Sequence, residues 1–333
     1  MSFSNVVGRL APSPTGAQHL GNARTYLLAW LIARKQRGQI LMRIEDLDSP
    51  RVKDWAVAQA MQDLQWLGLN WDIGPQDSSA AFSLIQTERL DRYLAVLRQL
   101  IEAGHLYPCR CTRSDIEGAQ SAPHESVQDA MVYPGTCRNR TIEDAEKWER
   151  EGQAFAWRFR VPSGLHTWRD VFCGNQICDV ERVLGDFVVG RSNGQPAYQL
   201  AVVVDDHDMG VTEVVRGDDL IASTYRQQLL YESLGWSMPT MIHLPLVVGL
   251  DGRRLAKRHG DTRLSTLRES GIDPRWVVGY LAFRSGLQNS LRPCCPSDLL
   301  SDFDLTRIAR ERLVFESTDA VEFFRELQES QSL

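Results

Sequence analysis

The segment from residue 6 to residue 45 contains the feature that most constrains the fold. A short apolar stretch is followed by a loop rich in glycine and proline, then by apolar residues at helical spacing, and then by a second apolar stretch. Gly38 stands where the C-cap of that helix is expected. This order predicts an α/β fold with a parallel sheet and a nucleotide site at the carboxyl ends of its strands. The predicted elements are a strand over 6–10, a helix over 22–37 and a strand over 39–45.

The rest of the chain continues with strands and helices around one unusual segment. Residues 197–204 form an apolar, β-branched run, which predicts a buried central strand. Residues 107–140 carry three cysteines and little periodicity, which indicates an insertion organised by something other than an apolar core. Further helices are predicted over 53–67, 86–103, 143–151 and 223–234 and from 262 onward, and further strands over 154–161, 183–189, 212–216 and 243–249.

Composition narrows the class of protein. The 333 residues are 43% hydrophobic and 24% charged, which is typical of a soluble globular protein. A formal net charge of −6 argues against broad non-specific binding of nucleic acid, although it allows a local basic patch. No apolar stretch is long enough to span a membrane, and the first residues lack a signal-peptide pattern. Seven cysteines, an odd number, favour a reducing cytoplasm over a disulfide framework, and we expect a monomer there.

The loop after the first predicted strand has the chemistry of a phosphate site. Backbone N–H groups at the start of a helix suit anionic phosphates, and Gly16 and Gly21 allow a ligand to approach closely. His19 can donate a hydrogen bond to a phosphate oxygen as charge develops there. A lone histidine in a loop is usually structural, but this one lies at the strand-to-helix junction where a nucleotide is expected.

A second candidate phosphate motif follows the strand predicted over 243–249. Residues 251–260 contain four cationic side chains, and taken alone this pattern indicates a solvated basic turn. In a nucleotide enzyme the same stretch predicts a loop that closes on ATP, where Lys257 neutralises charge as pyrophosphate leaves.

Together the two motifs resemble those of class I aminoacyl-tRNA synthetases. The first, with its Arg-x-Ala-Pro-Ser-Pro-Thr-Gly start, resembles the glutamyl branch, in which Asn22 replaces the second histidine of His-Ile-Gly-His. The second resembles Lys-Leu-Ser-Lys-Arg, with Arg254, Ala256 and Lys257 at its first, third and fourth positions. The resemblance implies a Rossmann-type doubly wound parallel sheet and ATP accompanied by Mg²⁺. It assigns catalysis to His19, Asn22 and Lys257, and ATP binding to these three residues and Gly21.

The glutamyl branch also implies an amino-acid pocket. Glutamate has two carboxylates and an ammonium, which call for arginine and for an acidic group. Arg9 and Arg216 suit the carboxylates, Glu45 suits the ammonium, and Tyr198 can donate its hydroxyl. The branch shares the sequences around these positions and adds Ala11 and Ser13 to the glutamate site. For Asp205, Asp206 and His207 we favour support of a strand end over a place in the adenosine pocket.

The cysteines of the insertion predict a structural zinc site. Cys109 and Cys111 form a Cys-x-Cys pair, Cys137 lies further along, and a structural site requires four ligands. His124 is the usual kind of fourth ligand. The resemblance favours Tyr133, because the Tyr-x-x-x-Cys pattern that ends at Cys137 is found in glutamyl-queuosine tRNA(Asp) synthetases. Both alternatives stay open from the sequence.

The extent of the resemblance predicts the domains and the acceptor. It covers roughly residues 6–285, and the remaining residues are too few for the anticodon-binding domain of glutamyl-tRNA synthetases. We therefore expect glutamate to be transferred to queuosine in tRNA(Asp), as in the glutamyl-queuosine group. The alternatives are a truncated glutamyl-tRNA synthetase, a tRNA-independent glutamyl ligase and a non-catalytic RNA-binding paralogue. The predicted parts are Rossmann halves at 1–105 and 183–250, a zinc-bearing insertion at 106–182 and a helical C-terminal region at 251–333.

Overall fold

A computed structural model describes residues 6–47, 52–119, 132–255 and 261–330. Strands and helices alternate through most of this length, as expected of an α/β protein. The strands are β1 Val7–Leu10, β2 Gln39–Met42, β3 Leu106–Cys109, β4 Ala156–Phe159, β5 Leu165–Asp170, β6 Gly174–Asp179, β7 Phe187–Gly190, β8 Glu213–Gly217, β9 Thr240–Leu244, β10 Val247–Val248 and β11 Leu313–Val314. The helices are α1 Leu20–Lys35, α2 Asp54–Trp66, α3 Leu90–Glu102, α4 Arg113–Ala119, α5 Ile142–Arg150, α6 Val180–Val183, α7 Tyr198–Asp208, α8 Ile221–Leu234, α9 Leu264–Glu269, α10 Pro274–Arg284 and α11 Ala320–Ser330.

Parallel strands form the centre of the molecule. β1 pairs with β2 across the α1 crossover, and β8 pairs with β9 across α8. The amide of Thr212, just before β8, donates to the carbonyl of Val7, so β8 follows β1 in the layer. α1 is buried on most of its surface because it packs between this layer and the C-terminal helices. The carboxyl ends of β1 and β8 therefore open at the same edge, where the predicted site residues lie.

The segment predicted as an insertion consists of antiparallel strands. β3, β4 and β7 form one sheet, and β5 and β6 form a separate hairpin. Since β7 pairs with β4, this sheet continues to Gly190. The hairpin joins the parallel layer at its end, where the amide of Val171 donates to the carbonyl of Met241 in β9.

The prediction of a central strand over 197–204 is wrong, because this run lies in helix α7. The apolar residues from Leu200 to Val204 are buried on every side of the helix. A helix that is buried all round shows no amphipathic period, so its sequence pattern equals that of a buried strand. The consequence for the site is that Tyr198 lies in the first helical turn, with Asp205 and Asp206 two turns further along the same helix.

The C-terminal part is mainly helical, with α9, α10 and α11 packed against the parallel layer. The strand predicted over 243–249 is divided in two, since Pro245 and Leu246 separate β9 from β10. β10 pairs in parallel with β11, which the prediction of an all-helical end missed. Within the described ranges, no helix is long and apolar enough to cross a bilayer.

Candidate active site

One cavity of about 360 Å³ opens at the carboxyl ends of β1 and β8. It is lined by the end of β1, the loop before α1, the first turns of α1 and α7, and the residues after β8 and β9. Side chains that lie roughly 200 positions apart in the chain meet here. The cavity includes every predicted glutamate-binding residue and three of the predicted ATP-binding residues. These are Arg9, Ala11, Ser13, Glu45, Tyr198 and Arg216, and His19, Gly21 and Asn22.

A buried ion-pair network forms the floor of the cavity around Arg43. One terminal nitrogen of Arg43 donates to Oδ1 of Asp206 at 2.7 Å, and the other donates to Oε1 of Glu45 at 3.0 Å. Arg9 lies beside the same Asp206 oxygen, with its Nε at 3.5 Å. Burial raises the pKa of Glu45, and the guanidinium groups of Arg43 and Arg9 oppose that rise. Glu45 is thus held in place by Arg43 while it faces the cavity.

Arg216 and Tyr198 form the opposite wall. Arg216 is 5% exposed and comes from β8, while Tyr198 begins α7. Burial raises the pKa of Tyr198 to about 12, with a further contribution from Glu45. The hydroxyl of Tyr198 is therefore protonated at neutral pH and can donate a hydrogen bond. Two guanidinium groups, one carboxylate and one phenol are the functional groups that this part of the cavity offers to a ligand.

His19 caps α1 and faces the cavity in a defined tautomer. Its Nδ1 accepts from the backbone N–H of Gly21 at 3.1 Å, and Oδ1 of Asn22 accepts from the backbone N–H of His19 at 3.4 Å. Burial, and to a smaller extent the charge of Arg254, lowers the pKa of His19 to about 4. A neutral ring with Nδ1 as acceptor carries its proton on Nε2, which is thereby available as a donor. A Cβ at Gly21 would lie 2.9 Å from the imidazole, so a larger residue there would displace the His19 ring.

The second motif is described only up to Leu255, so Ala256 and Lys257 lie outside the described residues. On one side, the amide of Leu255 donates to the carbonyl of Val247 at 3.1 Å. On the other side, the amide of Leu20 donates to the carbonyl of Thr262 at 3.1 Å, beside His19. The chain before the undescribed residues is therefore held to β10, and the chain after them is held to the start of α1. Arg254 lines the cavity and pairs with Asp219 at 2.8 Å.

The three cysteines of the insertion come together with Tyr133. The Sγ atoms of Cys109, Cys111 and Cys137 all lie within 4.8 Å of one another. The hydroxyl oxygen of Tyr133 lies 3.4 Å from Sγ of Cys109 and 3.4 Å from Sγ of Cys111. His124 lies outside the described residues. The guanidinium of Arg158 lies 3.9 Å from the Tyr133 ring centre, and its Nε is 3.3 Å from Sγ of Cys109. Three thiols and one phenol oxygen thus share one small volume.

Some residues that support the cavity were singled out from the sequence, and others were not. Asp205 accepts from Arg89, Gln86 and Tyr93, and Asp206 accepts from Arg43, so both support the site from α7 as we favoured, but from a helix instead of a strand end. Arg43, Asp170 and His243 were not singled out at all. They are polar residues in apolar surroundings, which is the one signal that could have drawn attention to them.

Comparison with known proteins places this chain in a family. The family described as "tRNA synthetases class I (E and Q), catalytic domain" matches residues 5–319. A glutamyl-Q tRNA(Asp) synthetase of Rhodopirellula baltica is 50% identical over 322 residues, which cover 93% of each chain. Another, of Symbiobacterium thermophilum, is 47% identical and covers 91% of this chain and 94% of that one. The crystal structure of a glutamate tRNA ligase from Elizabethkingia meningosepticum, in complex with its amino acid, superposes with a TM-score of 0.83 at 26% identity, covering 99% of this chain and 70% of that one.

The chain therefore belongs to the class I tRNA synthetases of the E and Q type and has their α/β catalytic fold. Within this family, its similarity to the glutamyl-Q tRNA(Asp) synthetases extends over nearly the whole length of both chains.

Proposed function

We propose that this protein uses ATP to activate L-glutamate as glutamyl-adenylate and transfers the glutamyl group to queuosine at the wobble position of tRNA(Asp). The observation that carries this proposal is that Arg9, Arg216, Glu45 and His19 line one and the same cavity. It combines groups for both charges of an amino acid with a hydrogen-bond donor for phosphate. The similarity to the glutamyl-Q tRNA(Asp) synthetases supports the choice of acceptor.

The walls of the cavity suit the two ends of glutamate. Arg9 and Arg216 would receive its carboxylates, and Glu45, fixed by Arg43, would receive its ammonium. Tyr198 would donate its hydroxyl, and Ala11 and Ser13 would complete the pocket from the loop after β1. The ammonium requires an ionised partner, so glutamate binding should weaken as the pH falls and Glu45 becomes protonated. Because the pKa of Glu45 is raised, this loss should begin at a higher pH than it would with an ordinary glutamate side chain.

The N-terminus of α1 suits the phosphates. His19 would donate through Nε2 to an oxygen of ATP, next to the backbone amides near Gly21. Asn22 would act indirectly, because its side chain caps the backbone of His19. Lys257 is proposed to neutralise charge on the leaving pyrophosphate together with Mg²⁺; its support is the hydrogen bond from Leu20, next to His19, to Thr262, which follows its motif.

The reaction then has two steps. An oxygen of the glutamate α-carboxylate attacks the α-phosphorus of ATP, and the bond to pyrophosphate breaks. A hydroxyl of the queuosine cyclopentenediol then attacks the carbonyl of the adenylate and loses its proton, and AMP leaves. Positioning and charge stabilisation account for both steps without a covalent enzyme intermediate.

The cysteine cluster fits a structural Zn²⁺ ion. At the usual Zn–S length, the sulfurs of a tetrahedral site lie about 3.8 Å apart. Cys111 and Cys137 are 3.6 Å apart, and Tyr133 lies at a similar distance from Cys109 and Cys111. Zinc would be held by Cys109, Cys111, Cys137 and Tyr133 and would join β3 to the segment around residue 137. We further propose that the enzyme acts as a monomer in the cytoplasm.

One incubation tests the function. The protein is mixed with ATP, radiolabelled glutamate and tRNA(Asp), which is either intact or without its 3′-terminal adenosine, and either with or without queuosine. We expect label only in the queuosine-containing tRNA, and glutamate-dependent pyrophosphate exchange without any tRNA. Label that requires the 3′ adenosine and ignores queuosine would identify a truncated glutamyl-tRNA synthetase. Exchange without any labelled RNA would identify a tRNA-independent ligase, and no exchange would identify a non-catalytic protein.

A further inference from the structure

Arg216 is held on two of its three nitrogens by protein groups. Its Nε–H donates to Nε2 of His243 at 3.0 Å, and Nη2 donates to Oγ1 of Thr224 at 2.6 Å and to Oε1 of Gln227 at 2.8 Å. Its Nη1 is buried and has no hydrogen-bond partner within the described part of the chain. The guanidinium is therefore fixed in its plane, with one nitrogen left for whatever fills the cavity.

The contact with Arg216 determines the tautomer of His243. An arginine has only donors, so Nε2 of His243 must be an acceptor and cannot carry a proton. The proton of the neutral ring is then on Nδ1, which lies 2.7 Å from Oδ2 of Asp170. Asp170 is suited to this role, because Oδ1 also accepts from the amides of Phe172 and Cys173. Both Asp170 and His243 are fully buried.

We propose that Asp170 and His243 are positioning residues for Arg216: Asp170 fixes the His243 tautomer, and His243 in turn fixes the guanidinium that receives a glutamate carboxylate. This inference rests on the proposed function, in which Arg216 binds glutamate. Asp170 and His243 line no part of the cavity, and they act only through Arg216.

The charges along this chain of contacts support the arrangement. Burial lowers the pKa of His243, so the ring stays neutral. Burial alone would raise the pKa of Asp170, but hydrogen bonds from His243 and from backbone amides hold it below its usual range. A buried carboxylate therefore stands two hydrogen bonds from the buried guanidinium and offsets its charge without occupying Nη1.

The position of Asp170 connects the insertion to the amino-acid pocket. Asp170 ends β5, in the hairpin that belongs to the segment predicted as a zinc-bearing insertion. Its contacts reach β9 of the parallel layer, and the adjacent Val171 donates to Met241 there. The hairpin thus supports the amino-acid pocket from outside the cavity, through His243 and Arg216.

Asp170→Asn tests the proposal with almost no change in shape. The orientation that keeps the amides of Phe172 and Cys173 satisfied places the new NH₂ group against Nδ1 of His243. His243 must then move its proton to Nε2, where it opposes the N–H of Arg216. We expect the KM for glutamate in pyrophosphate exchange to rise about 10- to 100-fold, since a hydrogen bond to a charged group is lost, while the KM for ATP stays within about twofold.

Two further variants serve as comparisons. Asp179→Asn makes the same chemical change in the same hairpin, where the carboxylate caps α6 far from Arg216, and should leave both KM values unchanged. Thr224→Val removes one acceptor of Arg216 without any change of charge, and should raise the KM for glutamate by a smaller factor. Thermal unfolding of each variant shows whether a rise in KM follows from loss of the fold.

A spectroscopic measurement separates this proposal from the proposed function. In protein labelled with ¹⁵N-histidine, long-range ¹H–¹⁵N spectra report the tautomer of each ring, and the His243→Gln variant assigns the signal. We expect protonation on Nδ1 in the wild type and on Nε2 in Asp170→Asn. A wild-type ring protonated on Nε2, or a tautomer switch with an unchanged KM for glutamate, overturns the proposal. A wild type with the expected tautomer but no glutamate-dependent exchange overturns the proposed function instead, and with it the carboxylate at Arg216.

Discussion

The ion-pair network at the floor of the cavity and the cysteine cluster of the insertion both withdraw polar groups from water, but they balance charge differently. In the cavity, Arg43 is fully buried and has carboxylates around it, which hold its pKa well above the ordinary value despite burial. In the cluster, the cysteine thiols and the phenol of Tyr133 face one another, and burial raises the pKa of Cys111 to about 11.

The difference separates two kinds of site. The cavity network contains both signs of charge, so it can exist before any ligand binds, as a substrate pocket should. The cysteine cluster holds several groups that become anions together, and Arg158 is the cation that contacts them. A divalent metal would supply the remaining positive charge. We therefore expect the cavity to be damaged by loss of a side chain, and the insertion to be damaged by loss of the ion.

The largest effect is expected from Cys137→Ser. Since zinc binding and local folding are coupled, we expect the metal content to fall from about one ion per chain to less than about a tenth. We also expect the sheet of β3, β4 and β7 to become sensitive to protease. Metal analysis and limited proteolysis measure both. Cys295→Ser changes an exposed cysteine outside the cluster and should leave the metal content unchanged. Equal metal content in the two variants would contradict the zinc site.

The next effect concerns the network around Arg43. Arg43→Met leaves Glu45 and Asp206 buried without their main cation, and should lower the free energy of unfolding by about 3–5 kcal/mol. Arg92→Met removes an arginine that pairs with Asp208 at the surface, and should lower it by less than about 1 kcal/mol. Urea unfolding of both variants makes the comparison. Similar losses of unfolding free energy in the two variants would mean that the buried ion pairs of Arg43 stabilise the fold no more than the surface ion pair of Arg92 does.

Loss of one donor in the cavity should slow the reaction and leave the fold intact. In His19→Asn, the amide oxygen can still cap α1 by accepting from Gly21, but the Nε2 donor is lost. We expect kcat of pyrophosphate exchange to fall about 100-fold, since one preorganised donor to developing charge is removed. His19→Ala should lose the same activity and also about 1 kcal/mol of stability from the missing cap. An active His19→Asn enzyme would show that His19 is only a cap.

The two regions also differ in how much of them could be predicted. The unit of β1, α1 and β2 follows from local pattern, and helix α1 begins two residues before the predicted start because His19 caps it. The residues facing the cavity were found through motifs that resemble a known branch. The contact of Asp170 with His243 joins positions 73 apart in the chain, and nothing in the local sequence pairs the two. The assignment of residues 197–204 to a strand failed because burial on all sides removes the period that distinguishes helix from strand.

The smallest effect is a change in the titration of His19. Its folded pKa of about 4 lies below the ordinary value of 6.5, so the unfolded chain takes up a proton first as the pH falls. The contribution of His19 to stability is therefore fully present above pH 6.5 and declines as the pH falls from 6.5 toward 4. Arg254→Gln removes the smaller of the two causes, so the pKa should rise but stay below 6.5, because burial is the larger cause. NMR titration of the His19 ring measures it. An unchanged pKa would mean that the Arg254 charge has no effect on His19, and that burial alone keeps the His19 ring neutral.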